Sequence, residues 1–314
     1  MLYGSNEFVS KSLEAIKEEC ETKDIVLVFG ATVNSIGNRI QRFDSDYDGK
    51  FIYFKSDLDN CHVNADEATK KCDRSGRFYI DVNEKLGEIT PWEPALLWNF
   101  RSFLSLLINP SGETRNIIPA VYYQVINVFS SPFYMDPFGI RKQMQKEVSE
   151  IVDFNYLLQY FQNRMDLRSE RDEKGRMLLK YYLSNIHCLL SMHWILQYEC
   201  IPPYSINTLF FLCDSDLVSH ITNLRYAADE KQRLLSESKS NPIVQSFKTD
   251  SEFKEIQMIK DDQMDSFIFK EKAIINDLWN KKKDKFSKMI IIEKQVDGVN
   301  RCIDIMLSKI KAGE

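Results

Sequence analysis

Asp44, Asp46 and Asp48 occupy alternate positions in RFDSDYDGKFIYFK, residues 42–55, and run straight into an aromatic, β-branched segment. Alternate residues of a strand face one side, so three carboxylates in this pattern share a face. Like charges crowded there need compensation. A divalent cation supplies it. A solvated turn also avoids the conflict, since Asp, Ser and Gly are preferred turn residues and Asp-Gly is a hairpin signal. Two other features bear on the choice. Gly30 in FGAT, residues 29–32, allows close backbone approach, and the amides after it can face an anion. Asp81 lies in the apolar context YIDV and is either a third ligand or a plain strand-end carboxylate. Three acidic oxygens beside a glycine turn suit Mg²⁺-dependent phosphoryl or nucleotidyl transfer, because hard cations take oxygen ligands and bridge carboxylates to phosphates.

Positioning these groups requires strands, and the N-terminal third contains candidates. Val9, Leu13, Ile16 and Cys20 recur at helical spacing over residues 6–21. DIVLVFG, residues 24–30, is a short apolar run ended by glycine and is expected to be a buried strand. GKFIYFK and RFYIDV, residues 49–55 and 77–82, are the second and third strand candidates. Thr90 as cap, Pro91 at the first helical position and Glu93 completing a capping box predict a helix that carries Leu96, Leu97, Phe100, Phe103, Leu104 and Leu107. It should end near Asn109-Pro110.

The remainder reads as helix: residues 119–129, 143–165, and a long buried helix over 174–200 stopped by IPPYS. Beyond residue 222 the chain turns charged and polar. ESKSNP, residues 237–242, is a linker candidate, and two amphipathic helices close the sequence. The expectation is an α+β fold, with a mixed-sheet core over 1–110 and an all-helical domain over 111–314, sub-divided near 237–242.

Bulk properties narrow the function classes. The 314 residues carry a net charge of −5, which argues against a dominant nucleic-acid-binding surface. Seven scattered cysteines with no CxxC pair match the usage of reduced thiols, and a cytoplasmic chain with no membrane span is expected. Cys61, His62 and Cys72 lack a fourth zinc ligand and read as a polar loop. The four histidines are not spaced as a metal motif and are expected to be satisfied by hydrogen bonds. No GxSxG, Walker A or dinucleotide fingerprint is present.

VFGAT, then SDYDGKFIYF, resembles the signature of the DNA-polymerase-β-type nucleotidyltransferases, in which a strand ending in Gly-Ser precedes one opening with Asp-x-Asp. The chain is most similar to the members associated with RNA-repair ligases, phage members included. NFRSFLSLLINPSGE (99–113), FSSPFY (129–134) and residues 174–203 resemble later motifs of that group in the same order, so the likeness covers roughly 24–215. The resemblance implies a small polymerase-β-like mixed sheet, Mg²⁺ or Mn²⁺ as cofactor, an NTP as substrate, and transfer of an NMP to a hydroxyl on RNA, a protein or a small molecule. It implies Asp46 and Asp48 as metal ligands and Asp81 as the third carboxylate, with Glu88 competing. Gly30, Ala31 and Thr32 would meet the triphosphate, although Ala31 stands where the group has serine. Lys174, Arg176 or Lys180 would reach it from the helical part. A member that keeps the fold as a nucleotide- or RNA-binding or regulatory module is the alternative.

Overall fold

A computed structural model describes residues 6–33, 48–55, 77–87, 93–108, 119–131, 134–239, 258–286 and 292–313. Of these, the residues up to 157 and those from 285 onward form one compact unit, and those from 158 to 284 form the other. The fold is mixed α+β, with one five-stranded sheet in the first unit and helices dominating from residue 141 onward.

The first unit begins with α1 (Asn6–Thr22), whose Ile16 and Cys20 face inward at the expected spacing. Strand β1 (Val26–Val33) and strand β2 (Asp48–Phe54) form an antiparallel pair, bulged between Leu27 and Phe29. Strand β3 (Arg77–Ile80) is followed at once by a short helix, α2 (Val82–Leu86). Strand β4 (Ala95–Asn99) then runs parallel to β2 and antiparallel to β3, and β5 (Tyr134–Met135) pairs with β1. The order is β3-β4-β2-β1-β5.

Three expectations are corrected here. The first strand does not end at Gly30 but continues to Val33, so Gly30–Thr32 is mid-strand backbone and no turn. The third strand stops at Ile80, and Asp81 becomes the cap of α2. Over its described residues, the helix foreseen from Pro91 is instead β4 (Ala95–Asn99), followed by α3 (Phe100–Leu104) and a 3₁₀ turn through Leu107. The apolar run Ala95–Trp98 satisfies a strand or a helix, and pairing on both edges decided for strand. Asn99 makes the switch, its side chain accepting from the Ser102 amide.

Both faces of the sheet are covered. On one, Leu27, Phe51, Tyr53, Ile80, Ala95 and Leu97 pack with Ile16 and Cys20 of α1 and Val82 of α2. On the other, Phe29 meets Phe129 of α4 (Pro119–Ser130) at 5.2 Å between ring centroids, and Trp98 meets Phe103 at 5.4 Å. Chain segments far apart in sequence close this unit. Helix α5 (Arg141–Ile151) packs on α11 (Ile292–Gly313), where Gly298 lets Ile151 sit against the backbone.

The single helix expected over 143–165 is interrupted after Ile151. Val152 is extended, the Asp153 amide donates to the Tyr122 hydroxyl, and α6 (Phe154–Asp166) starts there. The second unit holds most of α6, then β6 (Met177–Leu178), α7 (Leu179–Tyr198), α8 (Ile206–Leu209), α9 (Ser215–Lys239), β7 (Met258–Ile259) and most of α10 (Asp262–Phe286). Helix α7 is apolar nearly all round and is correspondingly buried. Among the described residues no helix is long and apolar enough to cross a membrane.

Candidate functional site

Asp48 is the first residue of β2, half-buried, and pairs with Val33 at the last position of β1. Paired residues of a sheet point to one face, and neighbours along a strand alternate. The register therefore groups Asp48, Lys50 and Ile52 of β2 with Val33, Ala31 and Phe29 of β1. Tyr134 of β5 joins this face opposite Ala31, its ring stacked on Phe29 and covered by the Arg141 guanidinium at 3.8 Å.

Gly30 and Thr32 fall on the other face, with Phe51 and Gly49. Gly30 has a local reason to lack a side chain, since a Cβ there would stand 2.3 Å from Phe51 Cδ1. The ring fills the space that the sequence reading reserved for phosphate. Thr32 Oγ1 is buried with no hydrogen-bond partner among the described residues, and the Thr32 carbonyl accepts from Ser131 Oγ at 2.6 Å. Of the three cradle residues, only Ala31 shares the face of Asp48.

Extending the registers, by two residues on β2 and by one on β3, sets Pro94 between Asp48 and Asp81. The two carboxylates stand two strand spacings apart, about 10 Å at the backbone. The Asp81 carboxylate is exposed and accepts from the amides of Asn83 and Glu84, at 3.0 and 3.2 Å. A cap of this kind contributes about 1 kcal/mol to helix stability. Glu93, expected in a capping box, is an exposed residue leading into β4. Asp44, Asp46, Glu88, Cys61, His62 and Cys72 lie outside the described residues. Lys180 begins α7 in the second unit, its ammonium 5.6 Å from the Tyr181 ring centre.

Lys50 was missed by the sequence reading. It lies two residues beyond Asp48 on the same face, half-buried between Ala31 and Leu96. Burial pushes its ammonium down to about 8, and the negative charge of Asp48 acts in the opposite direction. The signal was available: the alternation that aligns Asp46 with Asp48 aligns Lys50 with both.

The groups that could hold a cation are carboxylate oxygens, which suits a hard ion. Among the described residues no group of three His, Cys, Asp or Glu side chains is placed to hold a metal ion, and Asp46, the expected partner of Asp48, lies outside them. A groove of about 310 Å³ between α1 and α2, lined by Glu14, Glu18, Glu19 and Lys85, belongs to the opposite side of the sheet. Its Glu19 carboxylate is held below its ordinary range chiefly by the Lys85 ammonium.

Compared with family models, curated proteins and solved structures, the chain matches none. The chemistry must therefore be argued from these residues alone.

The three described histidines are accounted for by hydrogen-bond and ion-pair partners. His187 is buried and shares a hydrogen bond with the Tyr204 carbonyl at 3.0 Å, and burial lowers its pKa to about 4. His193 pairs with Glu271, and His220 with Asp261 at 2.8 Å.

Proposed function

We propose that this chain is a Mg²⁺-dependent nucleotidyltransferase that moves an NMP from an NTP to a hydroxyl of an RNA end, a protein or a small molecule. The observation that carries this reading is Asp48 at the lip of an antiparallel strand pair, sharing its face with Lys50, with Asp46 two residues earlier in the chain. Asp46 and Asp48 would hold the cation. Mg²⁺ keeps several waters and is commonly held by one or two carboxylates plus substrate phosphates, so Asp81 can remain on the α2 amides. When bound, the ion supplies charge neutralisation at the entering and leaving oxygens. Lys50 adds positive charge on the same face, where a triphosphate would lie. The acceptor oxygen bonds to the α-phosphorus as the bond to pyrophosphate breaks, and the hydroxyl proton passes to solvent.

A second reading has its own support: Gly30 and Thr32 face away from Asp48, and the Phe51 ring occupies the glycine. It makes the chain a nucleotide- or RNA-binding or regulatory module without turnover. Mn²⁺ and labelled NTPs, titrated against wild type and the Asp46→Ala/Asp48→Ala double variant, separate the two. Metal-dependent binding and label transfer, both lost in the variant, are expected of the enzyme. Binding without transfer selects the module. Identical behaviour of the two proteins overturns the enzyme reading, and no binding by either overturns both.

A further inference from the structure

The second unit gathers cations around one hydroxyl. Arg164 and Arg168 follow each other by one turn on α6 and the segment after it, and both reach Ser184 of α7. Arg168 donates to Ser184 Oγ at 2.6 Å and Arg164 at 3.4 Å, with Arg164 also donating to the Tyr160 hydroxyl at 2.7 Å. Ser184 is 1% exposed, whereas both arginines are half-buried and so open to solutes. Lys180 and Arg168 both lie beside the Tyr181 ring, the ammonium and the guanidinium 5.6 and 5.9 Å from its centre.

Other arginines of this segment are treated differently. Arg171 pairs with Asp265 and Arg176 with Asp172. Among the described residues Arg168 has no carboxylate at ion-pair distance, and its neighbouring charge is Arg164, a like one. Two guanidiniums drawn to one neutral oxygen repel each other, and a bound anion with several acceptor oxygens relieves that repulsion. Guanidinium forks match phosphate geometry in particular.

We propose that Arg164 and Arg168, set on Ser184 with Lys180 and Tyr181 beside them, form a binding site for a phosphoryl group. Every residue of the site belongs to the second unit, and Lys180 is the one it shares with the expected triphosphate contacts.

The test uses the full chain. Sodium phosphate is titrated against sodium chloride at equal ionic strength, which holds screening constant, and the thermal midpoint and binding heat are read. Phosphate should raise the midpoint of wild type beyond chloride. Arg168→Met should weaken binding tenfold or more, while Arg168→Lys, which keeps the charge but loses the fork, should weaken it severalfold and serves if the methionine variant does not fold. 5′-AMP in place of phosphate distinguishes the phosphate of a nucleotide from the free ion, and Arg168-dependent binding of either one supports the site. Equal binding of both probes by wild type and the Arg168 variants, or binding by neither, overturns it.

Discussion

The two units bury their polar groups in different ways. In the first, the sheet is apolar through its middle, with Phe29, Phe51, Ile52, Leu97 and Trp98 nearly inaccessible; Asp48 and Lys50 lie at one end of it, and the buried polar side chains Ser12, Asn99, Asn127, Ser131 and Gln295 sit on helices or at element ends. In the second, polar side chains reach into the core: Ser184, Asn185, His187 and Glu271 are all buried. A pleated sheet segregates polarity by position along and across strands, so a site can sit at its lip without disturbing the core. A helix buried nearly all round has no such margin, and polar residues on α7 draw partners from other elements, although Ser191 Oγ has none among the described residues. Ser184 finds arginines, His187 the Tyr204 carbonyl, and His193 the Glu271 carboxylate.

The largest expected effect tests the apolar half of that contrast. Trp98→Ala removes a side chain 2% exposed in a strand with neighbours on both edges. It should cost about 3–5 kcal/mol, read as a shift in the urea midpoint. A loss below about 1 kcal/mol would mean that the sheet core is not the rigid partner in the comparison.

The next prediction tests the polar half. The folded chain holds off protonation of His187 to about pH 4, against an ordinary value of 6.5. The unfolded chain binds the proton first, so stability present above pH 6.5 is lost as pH falls towards 4. The loss is about 3 kcal/mol over that window. His187→Gln, which keeps a hydrogen-bonding group for Tyr204, should flatten the wild-type slope between pH 4 and 6.5. An unchanged slope breaks the argument that this histidine is buried neutral.

Gly30→Ala tests the close approach of β1 to Phe51. The aromatic ring is buried and cannot swing clear, so overpacking should cost about 1–3 kcal/mol. If the variant is as stable as wild type but loses NTP binding, the glycine serves the ligand and not the ring. At the small end, Arg301→Ala removes an exposed guanidinium paired with Glu147 and Glu150, and about 0.5 kcal/mol is expected, shrinking with salt.

How much was legible follows from which interactions are local. β2 was readable because KFIYF alternates and is β-branched and aromatic, and α1 because its apolar residues recur at helical spacing. β4 was not, because Leu96, Leu97, Phe100, Phe103 and Leu104 also fit a helical stripe. Hydrogen bonds to β2 and β3, some 45 and 18 residues earlier in the chain, overrode that stripe. Nor was the break at Val152 readable, since it is answered by Tyr122 in another helix. Asp81 was expected within the third strand, and its capping of α2 was not foreseen, because that helix is five residues long and carries no periodic signal.

By itself the sequence determined the local conformations with a strong period, the spacing that aligns Asp46, Asp48 and Lys50, and the buried character of α7. These depend on backbone sterics and on neighbours one turn or one pleat away. Only the tertiary structure decided that Gly30 and Thr32 face away from Asp48, that β4 lies between Asp48 and Asp81, and that Arg168 meets Ser184 and, among the described residues, no carboxylate. Each of those depends on register or packing between distant segments, and no periodicity along the chain encodes which partner completes a strand edge or satisfies a buried charge.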